Sequence, residues 1–287
     1  MRWLGVLLLC QPLLSQGLSG DPSSLSVKVR MVEVYAAVLD HRGKHIPGLD
    51  PSQFEIMEDG QRQEISLFKP QAATVTAAIL IDCTGSMARE LPHVKNAVAG
   101  LLTAAKPEDS FGLFAFSNRL KVLQSFTQNR RAVLKALLET RAMGDTALFD
   151  SLAQLARELS GVDGKRAILL FTDGDDNASV LSPNAAVESI KRTGIPMYTI
   201  AQGQALKCPQ LIKRLEEISK ATGGLLFEVN RTEEIAKKFQ EIEEDLQHLY
   251  LLGYYSSNQS NSDWRRIMVR LPHQRGAKIR AKEGYRP

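Results

Sequence analysis

Ala77-Ala78-Ile79-Leu80-Ile81-Asp82-Cys83-Thr84-Gly85-Ser86 is the stretch whose reading decides the fold. A short, unbroken apolar run marks a strand buried on both faces, and such strands belong to parallel sheets covered by helices. The run stops at an aspartate and passes into a turn of small residues. The same arrangement returns at Ala167-Ile168-Leu169-Leu170-Phe171-Thr172-Asp173-Gly174. Between the two, residues 91–105 carry Val94, Ala97, Val98, Leu101 and Leu102 at helical spacing. Residues 131–138 and 147–159 read as further helices, and residues 111–116 and 121–126 as strands. Beyond the second run come a helix (184–192), a strand (197–201), a helix (211–220), a strand (225–229) and a helix (232–248). This alternation defines an α/β unit over residues 74–248, with a Rossmann-like, doubly wound, mainly parallel sheet.

The flanks read differently. In residues 25–70, Val27, Val29, Met31, Glu33, Tyr35, Ala37 and Leu39 fall on one side of a period-2 pattern, interrupted only by Glu33. Asp59-Gly60 is a hairpin signal between Phe54-Glu55-Ile56-Met57 and residues 63–68, because Gly accepts positive φ. The C-terminal segment, residues 249–287, offers strands at 250–256, 267–271 and 278–281. Each flank is too small to bury a core alone. They are expected to pair into one small β-sandwich, with the α/β unit inserted between them.

Met1-Arg2 followed by apolar Trp3 to Cys10, and then small and polar residues to Gly20, reads as a signal peptide over residues 1–20. The expected location is therefore secreted or periplasmic. No stretch is long enough to span a bilayer. With 287 residues, 44% hydrophobic and 24% charged, the composition is globular and excludes low-complexity and collagen-like classes. A net charge of +4 from 36 basic and 32 acidic residues gives no case for nucleic acid. Once the signal is removed, Cys83 and Cys208 remain, so the chain is no disulfide scaffold. They fall at the same sheet edge, where a bridge and two buried thiols are both open. His41 and His45 flank a glycine turn and read as surface residues.

Ligands of open parallel sheets bind beyond the carboxyl ends of the strands. Asp82, Thr84 and Ser86 alternate along one such turn, Asp173 ends the second run, and Gly144-Asp145-Thr146 precedes a helix between them. Two carboxylates held close repel unless a cation sits between them. An all-oxygen set of carboxylates and hydroxyls suits Mg²⁺ or Mn²⁺ rather than zinc or copper. Turn chemistry offers a plainer account, with Ser86 and Thr146 capping the helices that follow. Asp175, Asp176 and Asn177 read as shaping a solvated loop, with specificity at the site rim or repulsion of acidic ligands as the alternative.

Asp82-Cys83-Thr84-Gly85-Ser86, Gly144-Asp145-Thr146 and Thr172-Asp173-Gly174, in this order and at strand ends, resemble the von Willebrand factor type A (VWA) family. The stretch Phe54 to Gly60 and the tail Tyr250-Leu251-Leu252-Gly253-Tyr254-Tyr255 resemble its secreted bacterial VWFA-related subgroup. The resemblance implies the VWA fold and a metal-ion-dependent adhesion site (MIDAS). Ser86 and Thr146 would ligate directly, and Asp82, Thr84 and Asp173 directly or through water. The family usually has Ser where Thr84 stands, and Thr keeps the hydroxyl. The implied function is non-enzymatic capture of a carboxylate on a partner protein. A metal-free scaffold binding through its β-sandwich is the alternative. A metal-dependent hydrolase with Asp82 as nucleophile is a third reading. It lacks the second acid such enzymes typically carry two residues on, where Thr84 stands, and it lacks a general base near a nucleophile.

Overall fold

The computed structural model describes residues 31–174, 176–258 and 264–286. The expected signal segment and Asp175 lie outside the described residues. Elements follow in chain order. The N-terminal flank forms Met31–Leu39 (β1), Glu55–Glu58 (β2), Gln61–Gln63 (β3) and Ile65–Lys69 (β4). The α/β unit begins with Val75–Asp82 (β5), Leu91–Ala104 (α1), Ser110–Phe116 (β6), Leu120–Thr127 (β7), Arg130–Glu139 (α2) and Leu148–Leu159 (α3). It continues with Lys165–Thr172 (β8), Pro183–Thr193 (α4), Met197–Gln202 (β9), Pro209–Thr222 (α5), Leu226–Val229 (β10) and Ile235–His248 (α6). The C-terminal flank supplies Tyr250–Tyr255 (β11), Arg265–Arg270 (β12), Lys278–Ala281 (β13) and Gly284–Tyr285 (β14).

The central sheet has the order β10-β9-β8-β5-β6-β7, parallel except for β7. Alternate residues of β5 feed two cores. Ala77, Ile79 and Ile81 pack with α1, α2 and α6 on one face. Ala78 and Leu80 pack with α3, α4 and α5 on the other. Both faces are dry, which is why the strand reads as one apolar run. Helix ends carry local signals. Ser182 caps α4 by accepting from Ala185 N, Pro183 opens the helix, and Gly194 closes it in the left-handed region.

The flanks interleave in two antiparallel sheets. One has the order β13-β1-β11-β4 and the other β14-β12-β2-β3. Val34, Phe54, Ile56, Leu252, Tyr254 and Ile267 fill the core between them. Asp59 and Gly60, with φ of 49° and 84°, make the β2–β3 turn. That geometry matches the strand twist of a two-residue hairpin.

Two details differ from the sequence reading. First, the second hairpin strand is not continuous. β3 pairs with β2, whereas β4 leaves at Glu64 and pairs with β11 in the other sheet. Second, β1 is buried on both faces. Val32, Val34, Ala36 and Val38 face the sandwich core, while Tyr35 and Ala37 join the α/β core. Glu33, the interruption in the pattern, forms an ion pair with Arg166 of β8.

Candidate metal centre

The site is built where the sheet's strand order reverses. From β5 the chain runs outward to β6 and β7, then returns to β8 on the other side. The loops after β5 and β8 therefore diverge and leave a crevice at their carboxyl ends. Asp82 is the last residue of β5, and Asp173 directly follows β8.

Hydrogen bonds join these loops. Asp82 Oδ1 accepts from Thr84 N at 3.0 Å, and its Oδ2 accepts from Thr172 Oγ1 at 2.8 Å. Ser86 Oγ donates to Asp173 Oδ1 at 2.8 Å. Ser86 has one hydroxyl proton, so in the 3.0 Å contact between Thr84 Oγ1 and Ser86 Oγ the threonine is the donor. Thr146 arrives from the α2–α3 loop. Its Oγ1 lies 3.6 Å, and Ser86 Oγ 3.8 Å, from the point where a Cβ on Gly174 would stand. Asp82, Thr84, Ser86 and Asp173 are thus joined by hydrogen bonds, and Ser86 and Thr146 flank the small space left by Gly174.

The α2–α3 loop is held from three sides. Met143 N donates to Cys83 O at 2.7 Å, Gly85 N to Gly144 O at 3.3 Å, and Ala147 N to Ser117 O at 2.8 Å. Gly144 has φ of 97°, and a Cβ there would lie 2.4 Å from Asn118 Oδ1, so the turn needs glycine. Thr146 N donates to Asn177 Oδ1 at 2.9 Å.

The capping account does not describe Ser86 or Thr146. α1 and α3 start at Glu90 and Ala147 without a side-chain cap of their own. The first turn of α3 is capped instead from the β8–α4 loop. Asp176 Oδ2 accepts from Phe149 N at 2.9 Å, and Ser179 Oγ from Asp150 N at 3.0 Å. Asp176 and Asn177 are therefore structural members of the rim loop. Asp145 Oδ2 accepts from Asn118 on the exposed side, away from the cluster.

Asp82 and Asp173 are 0% and 3% exposed. Among the described residues, no Lys, Arg or His forms an ion pair with either. Burial raises the Asp82 carboxyl above the usual range. Burial also pushes Asp173 up to about 6, with the charges of Asp82 and Glu90 adding to the rise and Ser86 opposing it. Two further oxygens nearby are buried without partners, Glu90 Oε2 and Gln202 Oε1.

This donor set fits a hard divalent cation. It consists of two buried carboxylates, three hydroxyl oxygens with lone pairs to spare, and a gap that a single methyl would fill. Among the described residues, no three His, Cys, Asp or Glu side chains form a metal-binding group, so a zinc-type centre has no support.

Sequence reasoning does not single out Glu90, and it gives Thr172, Gly174 and Asn177 no individual role at the cluster. Thr172-Asp173-Gly174 is visible as a motif, but nothing in the sequence assigns the Thr172 hydroxyl a role. Cys83 and Cys208 form no disulfide; Cys83 is buried, and Cys208 is half-buried. His45 is not a surface residue. It stacks on His248 with centroids 4.7 Å apart and lies 3.4 Å from Asp245.

The profile of the von Willebrand factor type A domain matches residues 78–243, and the chain belongs to that family. Domains of this family commonly mediate protein–protein interaction and are typically not enzymes. A protein from Nocardia farcinica described as UPF0353 is 29% identical over 170 residues, covering 48% of this chain and 51% of its own length. Mouse calcium-activated chloride channel regulator 3A-1 is 27% identical over 176 residues, covering 58% of this chain and 18% of the regulator. The chain thus spans about half or less of these relatives. Among solved structures, a von Willebrand factor type A protein from Catenulispora acidiphila superposes with a TM-score of 0.54. That match has 14% identity and covers 88% of this chain and 72% of the other. At this identity the match speaks for the fold alone. No helix of the described residues is long and apolar enough to cross a membrane.

Proposed function

We propose that the chain is an exported, non-enzymatic binding module that captures an acidic group on a partner protein through Mg²⁺ or Mn²⁺. Asp82, Thr84, Ser86, Thr146 and Asp173 would hold the ion. The observation that carries this reading is the pair of buried carboxylates with no ion-pair partner among the described residues, set beside the Ser86 and Thr146 hydroxyls that converge at Gly174. When bound, the ion supplies a coordination position for a partner carboxylate. The chain's own residues supply the rest. Asp82 and Asp173 provide the negative charge, Asn177 fixes Thr146, and Thr172 orients Asp82. Thr84, engaged with Ser86, stands where a phosphoryl-transfer enzyme would need a second acid. That supports a binding role over a hydrolytic one.

The test is thermal unfolding in EDTA and in millimolar Mg²⁺ or Mn²⁺, for wild type and Asp82→Asn. Metal at about 100 times its dissociation constant adds about 2.7 kcal/mol. For a chain of this size that is a rise of a few degrees. The expected result is a rise in wild type only. Equal melting with and without metal would leave the sandwich as the binding surface.

A further inference from the structure

Positive charge is gathered at the C-terminal end of the chain. Residues 264–287 carry eight Lys and Arg against one acid, Glu283, an excess larger than the net charge of +4 of the whole chain. Three of the eight are engaged within the fold: Arg265 with Glu58, Arg280 with Asp245, and Lys282 over the Tyr285 ring. The other five, Arg266, Arg270, Arg275, Lys278 and Arg286, are exposed or nearly so at the surface, and among the described residues none of them forms an ion pair.

β12 sorts its residues by face. Ile267 and Val269 enter the sandwich core, so Trp264, Arg266, Met268 and Arg270 alternate with them on the outer side. Trp264 is 44% and Met268 40% exposed, so the stripe shows water apolar groups as well as charge. Trp264 lies over Gly284 of β14, where a Cβ would stand 2.6 Å from the ring, so the glycine makes room for the indole. Met268 is the cross-strand partner of Met57, which in turn pairs with Arg62 of β3. An indole and two thioethers are thus set between guanidinium groups. The nearest acids are already engaged. Glu55 lies 3.6 Å from Arg62 Nε, and Asp59 Oδ1 accepts from Arg266 N at 2.8 Å.

This face is turned away from the rest of the molecule. The α/β unit packs on the sheet β13-β1-β11-β4 through Tyr35, Ala37 and Leu251, and the sheet β14-β12-β2-β3 covers the other side of that sheet. The sandwich meets β8 at its amino end, where Tyr35 Oη accepts from Arg166 N at 2.9 Å. Asp173 follows the opposite end of the same strand, ~23 Å further along.

We propose that the outer face of β12 rests on a bilayer containing anionic lipid and holds the metal centre outward, away from the membrane. An indole settles at the level of the headgroups, and an arginine stem lies along apolar surface while its guanidinium stays at the phosphates. Interfacial binding grows with buried apolar area and with attraction to anionic lipid, and this face supplies both. The contact is peripheral, and it stands independently of the metal reading.

The test is co-sedimentation in EDTA with vesicles of phosphatidylcholine alone and of phosphatidylcholine mixed equally with phosphatidylglycerol. The protein is the chain without residues 1–20, the expected signal segment. That form has Trp264 as its one tryptophan, so its emission reports on the face directly. The expected result is binding to the anionic vesicles only, a blue shift of the Trp264 emission, and release as salt rises. Arg266→Gln and Arg270→Gln each weaken binding about fivefold. Both side chains are exposed, so both variants melt as wild type does, and the contrast between vesicle compositions needs no variant at all. Equal binding to both vesicles, binding to neither, an unshifted emission or indifference to both arginine variants overturns the membrane contact. Binding to soluble polyglutamate in preference to vesicles gives the face to an acidic protein and overturns it as well.

Discussion

Arg280 of β13 holds Asp245 of α6 by both carboxylate oxygens, each 2.5 Å from Nη2. Tyr198 of β9 donates to the same carboxylate, and Arg280 Nη1 donates to Gly223 O. One buried acid thus fastens the last helix to the central sheet and to the sandwich. Removing one member of a buried, hydrogen-bonded pair strands the other charge, at a cost of about 3–5 kcal/mol. Arg280→Met is expected to lower stability by that amount in urea denaturation. Arg280→Met combined with Asp245→Leu is expected to recover part of it. A single variant within experimental error of wild type would show that the pair contributes nothing.

Lys165 predicts a pH dependence. Its Nζ is buried and donates to Gln71 O at 3.1 Å and Leu246 O at 3.5 Å. Burial pulls its pKa down to about 8, with Lys106 adding repulsion and Asp109 opposing. Between that value and the ordinary lysine range, the folded chain binds fewer protons than the unfolded chain. Stability from this group therefore rises with pH across the window, and the full cost is present below it. Wild type is expected to gain on Lys165→Met by at most about 1.4 kcal/mol per pH unit from pH ~8 to ~10. A constant difference across that range would contradict the assignment.

Gly174→Ala tests the metal centre without touching a ligand. The added methyl stands 3.6 Å from Thr146 Oγ1 and 3.8 Å from Ser86 Oγ, which is ordinary contact, so the fold tolerates it. It occupies the space where those hydroxyls converge. Stability in EDTA is expected to stay within about 1 kcal/mol of wild type, while the Mg²⁺-induced rise in melting temperature disappears. Retention of the full rise would move the ion elsewhere.

Leu251 and Leu252 are neighbours on β11, both 0% exposed, yet they serve different cores. Leu251 packs in the α/β core and Leu252 in the sandwich core. The sheet they share belongs to both bodies. Truncating either to Ala is expected to cost about 2–5 kcal/mol. In calorimetry both variants are expected to shift one common transition. Two separate heat-absorption peaks, each sensitive to one variant, would show that the cores unfold independently.

The strands and helices of the α/β unit are legible in the sequence because each carries its own period. β5 and β8 each carry an unbroken apolar run, Ala77 to Ile81 and Ala167 to Phe171, since helices cover both faces, and α1 shows its stripe at Val94, Val98 and Leu101. Of the three motifs picked out in the sequence, two follow strands, after β5 and β8, while Gly144-Asp145-Thr146 lies between two helices, α2 and α3. Less visible are features set by long-range contact. The break at Glu64 sends β4 to another sheet, and nothing in a period-2 pattern marks a change of partner. His45 sits in a turn of ordinary composition, and its burial depends on His248 and Asp245, some two hundred residues on. The capping of α3 by Asp176 and Ser179 likewise comes from a distant loop.

Lys69 and Leu251 are cross-strand partners, so β4 and β11 lie side by side and run in opposite directions. Such neighbours are ordinarily joined by a turn of a few residues. Here the join is the whole α/β unit, which makes that unit, to the sandwich, one overgrown hairpin turn. Its entry and exit are about one strand spacing, ~4.8 Å, apart. Strand order and register in the sandwich therefore place no demand on what the turn contains. The demand comes from the face carrying Tyr35, Ala37 and Leu251, which the α/β unit covers. The sandwich is in effect a socket: any head that brings its two ends together and an apolar foot to seal that face meets its terms.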